Sequence, residues 1–341
     1  MDTLDASFPL DPPLPAFAQI EPVGQCNLRC RMCPIQFRRD GPPYGPLAFM
    51  PFERFVELLD QLPGLRELHL QGLGEPTMHP RFFDMVAVAA ARGMRVSTNS
   101  NLTLWSTRRA RECIASGLAE ISVSLDAATP AVYERIRVRA HFGKVLRNLR
   151  RLMAARAEAR AALDVRIVMV LMRGNLREIE PVVRLAAAEG VTRVFVQHLC
   201  HDNDEASLPS QYRPLSAYVE EQRLDRARHA ADVAASFAVA RAAAADVGVE
   251  LRLPRLGFDA PAPRTVPGCD WPWRGACISY SGDAMPCCMV ATPDRMSFGN
   301  VFASSVDAVW RNQGYRDFRA ALRSPPAPAV CRACSLYRGT F

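Results

Sequence analysis

Short apolar runs alternate with amphipathic segments over residues 16–200, and this alternation constrains the fold more than any other feature. Six runs have the length and apolar character of buried strands, at 16–23, 67–71, 95–99, 120–125, 164–171 and 193–198. The segments between them have helical periodicity, at 51–62, 81–92, 107–116, 144–157 and 176–189. Strands separated by helices pair in parallel. The pattern therefore predicts an α/β fold, a partial (β/α)6 TIM-like barrel whose site lies at the carboxyl ends of the strands.

The remainder of the chain divides around this barrel. Residues 1–15 form an N-terminal extension, and 201–264 form a connecting region with a polar loop, Ala-rich helices at 216–247 and a further strand at 249–253. The stretch 259–267 reads as a linker. Cys, Trp, Gly and Pro are dense beyond it, which predicts a small cysteine-rich domain at 265–341.

Composition excludes several classes of protein. The chain has 341 residues, 49% of them apolar, without an apolar run long enough to span a membrane. Residues 1–20 carry acids and prolines instead of a signal peptide, so we expect a cytoplasmic protein without a membrane partner. The net charge of +7 comes from scattered Arg residues, which argues against nucleic-acid binding but suits an acidic electron-transfer partner. Eleven cysteines in a reducing compartment indicate metal or catalytic roles.

Three of these cysteines form a compact array directly after the first predicted strand. Cys26, Cys30 and Cys33 have the spacing C-x3-C-x2-C. Three thiolates on one loop can hold three corners of a 4Fe–4S cluster and leave the fourth iron open. A closed zinc site is the alternative, but it requires four ligands, and no fourth Cys or His lies nearby in the sequence.

The array, placed after strand one of a six-unit barrel, resembles the signature of the radical S-adenosylmethionine (SAM) superfamily, over residues 16–200. The resemblance implies that the open iron chelates the methionine part of S-adenosylmethionine. It also implies that an electron delivered to the cluster cleaves this cofactor and releases a 5'-deoxyadenosyl radical. Met32 occupies the apolar position of the motif, where the family packs a side chain near the adenine.

A turn after the second predicted strand is similar to the family's Gly-Gly-Glu-Pro segment, which binds the cofactor's amino group. Gly74, Glu75 and Pro76 match the segment, whereas Leu73 stands where the first Gly would be. Glycine lets the backbone approach a ligand closely, and a carboxylate suits an ammonium group.

Polar residues at the ends of strands three and four also resemble the family's cofactor contacts. The resemblance implies cofactor contacts for Asn99, Ser122, Ser124 and Asp126, with Asn175 and Arg137 as further candidates. Such residues also serve as helix N-caps, which is the alternative for each.

The C-terminal region holds a second group of cysteines. A hairpin turning at 281–283 would bring Cys287 back beside Cys269, and the chain later carries the pair Cys331 and Cys334. These four thiolates would complete a second cluster, or alternatively a zinc ribbon.

The spacing C-x12-G-x4-C followed by C-x2-C resembles the SPASM and twitch extensions of radical SAM enzymes. The absence of a further Cys after Cys334 is closer to the twitch form, which implies one auxiliary 4Fe–4S cluster. Cys277 and Cys288 remain as buried thiols, with Cys288 as the substitute ligand for Cys287.

Within the twitch group, the spacing is most similar to the butirosin-pathway aminocyclitol dehydrogenase, and the blasticidin-pathway cytosylglucuronate decarboxylase is a second relative in kind. This resemblance implies an oxidoreductase or lyase of natural-product biosynthesis that abstracts hydrogen from a polar small molecule. A flavodoxin or ferredoxin-type protein would be the reductant.

Two alternatives remain for the function. A peptide or protein maturase is the chief one, although only 25 residues precede Cys26, which leaves no room there for an added peptide-binding domain. A non-enzymatic iron–sulfur protein would not need the Gly-Glu-Pro turn. The sequence assigns no general base; His69, Gln71, Arg166, His198 and His201 lie on or after predicted strands.

Overall fold

The computed structural model describes residues 8–39, 45–199, 208–255, 268–323, 326–332 and 334–338. Its strands form one sheet in the order β7-β6-β5-β4-β3-β2-β1-β8-β9. Their bounds are β1 Phe17–Ile20, β2 Glu67–Leu70, β3 Arg95–Ser100, β4 Glu120–Ser124, β5 Asp164–Leu171, β6 Arg193–His198, β7 Glu250–Arg252, β8 Gly275–Ile278 and β9 Ala284–Met285. Strands β1 to β7 run parallel, as predicted for a partial barrel.

The helices cover the outer face of this sheet and continue into the C-terminal region. The barrel helices are α1 Phe52–Asp60, α2 Phe82–Ala91, α3 Thr107–Ala115, α4 Pro130–Ile136, α5 Phe142–Glu158 and α6 Ile179–Ala188. They are followed by α7 Arg213–Gln222, α8 Arg226–Val247, α9 Trp271–Arg274, α10 Val306–Trp310, α11 Gln313–Arg323, α12 Ala329–Arg332 and α13 Ser335–Arg338. Short 3₁₀ segments lie at Pro34–Gln36, Pro76–Met78, Arg173–Glu178 and Ser210–Tyr212.

The amphipathic pattern explains how these helices pack. In α5, Val145, Leu149 and Leu152 recur at helical spacing and are fully buried against the sheet. Helix α3 begins where the Ser106 side chain accepts a hydrogen bond from the backbone N–H of Arg109. The periodicity did not predict α4, because it has only seven residues and begins at a proline.

The C-terminal hairpin adds strands to the barrel sheet. β8 pairs in parallel with β1, with Cys277 opposite Gln19, and β9 pairs antiparallel with β8. The turn between them uses Gly282 at φ +88°, a left-handed conformation that favours glycine. The domain boundary at 265 remains a prediction, and the predicted linker lies outside the described residues, but the sheet itself is continuous across both parts.

The N-terminal segment, predicted as an extension, packs against the C-terminal region. Trp273 donates its indole N–H to the Pro9 carbonyl at 2.7 Å, and Arg319 donates to the Leu10 carbonyl at 3.0 Å. These contacts tie the two ends of the described chain together. None of the described helices combines the length and the apolar character that crossing a membrane requires.

Polar side chains occupy the inner face of the sheet in rows that follow the strand register. Gln19, His69, Ser97 and Glu120 stand opposite one another on β1 to β4. Closer to the carboxyl ends, Asn99, Ser122 and Arg166 form the next row. The inner face is therefore built to contact polar groups.

Candidate active site at the carboxyl ends of the strands

Cys26, Cys30 and Cys33 lie in the loop after β1, above the carboxyl ends of the strands. Cys30 is buried, and Cys26 and Cys33 are half-buried. The backbone N–H groups of Arg29 and Arg31 donate to the carbonyls of Val138 and Ile136, at 3.0 and 3.1 Å. This pairing fixes the cysteine loop against the segment that follows α4.

The three thiols fit the 4Fe–4S cluster that the sequence predicts. Burial raises the pKa of each thiol above its ordinary value, for Cys33 to about 12. Thiolates in such surroundings need a positive partner, and cluster iron supplies one when it is bound. Asn101 Nδ2 lies 3.8 Å from the Cys26 sulfur, and Arg137 Nη1 lies 3.9 Å from the Cys30 sulfur.

A cavity of about 200 Å³ opens directly beside these sulfur atoms. Five of the eight residues assigned to cofactor contacts line it, namely Met32, Gly74, Glu75, Asn99 and Ser124, and the further candidate Arg137 lines it as well. The structure thus brings together side chains from the cysteine loop and from the ends of β2, β3 and β4.

The Gly74 position allows no side chain. A Cβ there would overlap the backbone carbonyl oxygens of Val23 and Gln25. The Glu75 N–H donates to the same Gln25 carbonyl at 3.0 Å. Glycine is therefore required because the turn after β2 packs directly against the backbone that leads to Cys26.

Glu75 is buried, and its carboxylate accepts four hydrogen bonds from the protein. Oε1 accepts from the backbone and hydroxyl of Thr77 and from the Ser100 hydroxyl, and Oε2 accepts from the Asn101 N–H at 2.8 Å. Burial raises its pKa above the ordinary value, while these hydrogen bonds oppose the shift. Glu75 therefore holds the turn to the end of β3, and its contact with an ammonium group stays a prediction.

The other three predicted cofactor contacts lie outside the cavity lining. The Ser122 hydroxyl accepts a hydrogen bond from Arg166 Nε at 2.8 Å. Asp126 accepts from Arg137 Nε at 2.7 Å and from the Val170 N–H at 2.8 Å. Pro76 is buried at the start of the 3₁₀ segment after Glu75. The side chains of Ser122 and Asp126 therefore have protein partners and hold neighbouring strands and loops in place. Direct contact of these two residues and of Pro76 with the cofactor stays a prediction.

Sequence reasoning missed Asn101 and gave little weight to Arg137. Both line the cavity, and Asn101 approaches the Cys26 sulfur while Arg137 approaches the Cys30 sulfur. Asn101 directly follows β3 and ends the polar run STNSN at 97–101, so this run could have identified it. Arg137 reaches the site only through the fold, since it follows α4, a helix that the periodicity did not predict.

His69 projects from β2 into the barrel interior. Its Nδ1 lies 2.8 Å from the Ser97 hydroxyl. Burial lowers its pKa to about 4, and the positive charge of Arg166 adds to this shift. The imidazole is therefore neutral near pH 7. His198 follows at the end of β6, and His201 lies outside the described residues.

The second group of cysteines converges beside the hairpin. Burial raises the pKa of Cys287 well above its ordinary value, and the nearby thiols of Cys288, Cys277 and Cys269 add to the effect. Burial also raises the pKa of Cys288 to about 12, with Cys334 as its strongest thiol neighbour. Cys277 and Cys288, which the sequence predicted as buried thiols with Cys288 as a substitute ligand, therefore belong to the same group of thiols. Cys331 lies one helical turn before Cys334. The backbone N–H of Cys334 donates to the carbonyl of Cys331 at 3.1 Å.

The two cysteine sites share a wall. Gln71, Gly72 and Leu73 line the cofactor cavity and also a smaller cavity that Cys277 and Cys288 line from the other side.

Within the described residues, no three His, Cys, Asp or Glu side chains are grouped so as to hold a single metal ion.

Comparison with known families agrees with this two-part arrangement. The Radical SAM superfamily matches residues 20–186, and the SPASM iron–sulfur cluster-binding domain matches residues 269–335. Together the two matches cover well over half of the chain. A radical SAM domain implies a 4Fe–4S cluster and S-adenosylmethionine, and a SPASM domain implies auxiliary iron–sulfur clusters.

Three curated relatives align along nearly the whole chain. The tungsten-containing aldehyde ferredoxin oxidoreductase cofactor-modifying protein of Pyrococcus furiosus is 24% identical over 94% of this chain and 87% of its own length. Mycofactocin maturase MftC of Mycobacterium ulcerans is 25% identical over 92% and 78%. PqqA peptide cyclase of Granulibacter bethesdensis is 24% identical over 95% and 80%.

Solved structures share the fold. Streptococcus suis SuiB bound to precursor peptide SuiA superposes with a TM-score of 0.66 at 15% identity, over 95% of this chain and 70% of SuiB. BtrN in complex with AdoMet and 2-DOIA has a TM-score of 0.51 at 14% identity, over 95% and 94%. The family matches therefore identify a radical SAM domain over residues 20–186 and a C-terminal SPASM iron–sulfur domain over residues 269–335.

Proposed function

We propose that this protein is a maturase that modifies a peptide or protein substrate by radical chemistry. The observation that carries the proposal is the full-length similarity to a mycofactocin maturase and a PqqA peptide cyclase, which extends through both domains. BtrN, bound to AdoMet and 2-DOIA, shares the fold along nearly the whole chain at 14% identity, whereas the maturase and the cyclase are similar in sequence as well, at 25% and 24% identity. The maturase alternative is thus better supported than the small-molecule substrate that the sequence favoured.

The shape of the sheet supports a polymeric substrate. The sheet begins at β7 and ends at β9, and no described strand joins these two edges. The cofactor cavity lies at the carboxyl ends of the strands between them. The described strands leave these two edges unjoined, and we propose that an extended chain reaches the cavity between them.

We assign the catalytic 4Fe–4S cluster to Cys26, Cys30 and Cys33, and S-adenosylmethionine to the adjoining cavity. When bound together, these groups supply a strongly oxidising radical that removes a hydrogen atom from a substrate carbon. The protein's own part is to hold the groups in place and to shelter them. Gly74 and Glu75 fix the turn beside the sulfurs, Met32 supplies apolar surface, and Ser124 and Asn99 offer polar contacts.

We assign the auxiliary cluster to Cys269, Cys287, Cys331 and Cys334. Cys277 and Cys288, which belong to the same group of thiols, line a small cavity that Gln71, Gly72 and Leu73 separate from the cofactor cavity. We propose that the auxiliary cluster either accepts an electron from the substrate or anchors the substrate.

We also retain a flavodoxin or ferredoxin-type protein as the proposed reductant. Arg31, on the cysteine loop, and Arg135, on α4, are both exposed, and the Ile136 carbonyl accepts from the Arg31 N–H. An acidic electron carrier would dock favourably on such a surface.

Deuterium transfer tests the proposal directly. An extract from fully deuterated cells of the source organism would be separated by size into peptide and metabolite fractions, and each would be given to the reduced holoenzyme with unlabelled S-adenosylmethionine. We expect deuterium in 5'-deoxyadenosine from the peptide fraction alone. Transfer only from the metabolite fraction would overturn the maturase proposal and favour the small-molecule function.

A further inference from the structure

A second cavity lies beyond the cofactor cavity, at the carboxyl ends of β6 and β7. Its volume is about 480 Å³, more than twice that of the cofactor cavity, at about 200 Å³. Phe195 and Gln197 line it from β6, and Arg252 and Arg255 line it from β7 and the residues that follow. The cysteine sites and the cofactor assignments above do not involve any of these residues.

The described lining of this cavity is basic. Arg252 and Arg255 are exposed, and the described residues lining the cavity include no Asp or Glu. Other arginines on neighbouring strands have carboxylate partners: Arg166 on β5 pairs with Glu120, and Arg193 on β6 pairs with Glu250 at 3.2 Å. Among the described residues, neither Arg252 nor Arg255 has such a partner. Two guanidinium groups therefore face a cavity without a described carboxylate to neutralise them.

An aromatic ring positions one of these arginines. The Arg252 guanidinium lies 5.9 Å from the centre of the Phe195 ring, which also contacts the Arg166 guanidinium at 4.8 Å. Stacking on a ring leaves the edge of a guanidinium free to donate two parallel hydrogen bonds. Carboxylates and phosphates both match this fork, and a carboxylate is the one of the two that an unmodified peptide carries.

The strand register connects this cavity with the cofactor cavity. Ser124, which lines the cofactor cavity, stands in one row with Val168, Phe195 and Arg252 on successive strands. Gln197 pairs with Val170, another residue of the cofactor cavity. Adjacent strands lie about 4.8 Å apart, so three spacings separate Ser124 from Arg252 by roughly 14 Å. An extended peptide covers that span in about four residues, at roughly 3.3 Å per residue.

We propose that the cavity formed by Phe195, Gln197, Arg252 and Arg255 binds a carboxylate of the peptide substrate, about four residues from the part of the substrate that lies beside Ser124. The proposal rests on the proposed maturase function. The carboxylate belongs either to an Asp or Glu side chain or to the C-terminus of the substrate, since both present the same group to the arginines.

Binding of defined peptides tests this subsite independently of catalysis. The probes are three unlabelled, N-acetylated peptides of about ten Gly, Ser and Ala residues, which carry one Glu with an amidated C-terminus, one Gln with an amidated C-terminus, or one Gln with a free C-terminus. Isothermal titration calorimetry would measure their affinity for the holoenzyme with both clusters and S-adenosylmethionine present. A charge-assisted pair predicts that the wild type binds at least one carboxylate peptide about tenfold or more tightly than the neutral peptide. Which of the two carboxylate peptides is preferred identifies the source of the group.

The variant Arg252→Gln/Arg255→Gln should reduce this preference to less than about threefold. Arg241→Gln is the matched control, because Arg241 is an exposed arginine that lies 5.8 Å from the Phe237 ring on α8 and is absent from the cavity lining. The control should keep the full preference. Equal binding of all three peptides by the wild type, or a preference that survives in the double variant, would overturn the subsite.

The deuterium experiment separates this proposal from the function on which it rests. If peptides transfer deuterium to 5'-deoxyadenosine but a carboxylate gives no advantage in binding, the subsite is wrong and the maturase function stands. If the carboxylate preference is found and depends on Arg252 and Arg255, but only small metabolites transfer deuterium, the cavity binds an acidic group and the peptide assignment is wrong.

Discussion

Arg38 donates two parallel hydrogen bonds to the carboxylate of Glu21, at 2.7 and 3.1 Å, and both side chains are buried. Glu21 follows β1, and Arg38 lies in the cysteine loop just after the 3₁₀ segment. The same carboxylate accepts from the Leu73 N–H at 3.0 Å, at the turn beside the cofactor cavity. This pair therefore connects the barrel, the cysteine loop and the cofactor turn.

Replacing Arg38 by Met should destabilise the protein by about 3–5 kcal/mol, because the Glu21 carboxylate would remain buried without its partner. Chemical denaturation of the holoprotein would measure the loss. Arg54→Met is the control: it breaks the exposed pair with Glu57, which should cost less than about 1 kcal/mol. The double variant Glu21→Gln/Arg38→Met should recover part of the loss, since it leaves no unpaired charge. Equal effects of Arg38→Met and the control would show that the buried pair contributes little.

Iron content should distinguish the two groups of cysteines. Reconstituted protein should hold about eight irons in two four-iron clusters, and replacing Cys26, Cys30 and Cys33 by Ala should leave about four. Cys113→Ala, a buried cysteine of α3, should retain all of the iron. The assignment fails if the triple variant keeps its full iron content or if the wild type carries zinc in the C-terminal group.

Cys287 and Cys288 can be separated by the same measurement. The sequence spacing predicts that Cys287→Ala loses about four irons and that Cys288→Ala retains about eight. The structure places Cys288 near Cys334 and Cys269, so its thiol is a direct competitor for the ligand position. A reversed result would assign the auxiliary cluster to Cys288.

Glu75→Ala should weaken the binding of S-adenosylmethionine by about tenfold to a hundredfold, or about 1.5–3 kcal/mol. Removing the carboxylate frees the turn from Thr77, Ser100 and Asn101, and also removes the charge that suits an ammonium group. Equilibrium dialysis would measure the affinity, with the exposed Glu57→Ala as control and with iron content confirmed in both variants. An unchanged affinity would remove Glu75 from the cofactor site.

His69 should make stability depend on pH. Its folded-state pKa of about 4 lies below the ordinary value of 6.5, so the unfolded state binds the proton more strongly. Stability from this group is therefore fully present above pH 6.5 and is lost as the pH falls towards 4, by about 2 kcal/mol at pH 5. Denaturation of wild type and His69→Asn at pH 7 and pH 5 would test this, because the variant keeps a donor near Ser97 but cannot titrate. Equal losses in both proteins would mean that His69 does not titrate as the structure predicts.

The sequence pattern predicted those strands and turns that depend on residues close together in the chain. Strands β5 and β6 have the predicted bounds, since each is a short apolar run limited by polar residues. The turn at Gly74 and Glu75 was also predictable, because glycine is favoured where one backbone segment packs closely against another. The helix α4 was missed since its pattern is too short to show a period.

The sequence by itself determined the alternation of strands and helices, the cysteine spacings and, from these, a radical SAM domain followed by a cysteine-rich iron–sulfur domain. The tertiary structure decided which distant residues meet. It paired β8 with β1, added Cys277 and Cys288 to the auxiliary thiols, and directed Ser122 and Asp126 to arginines instead of the cavity. It also placed Arg252 in register with Ser124. The physical reason is that periodicity and spacing record contacts close in the chain, whereas sheet order and buried ion pairs depend on segments that are brought together only when the whole core is formed.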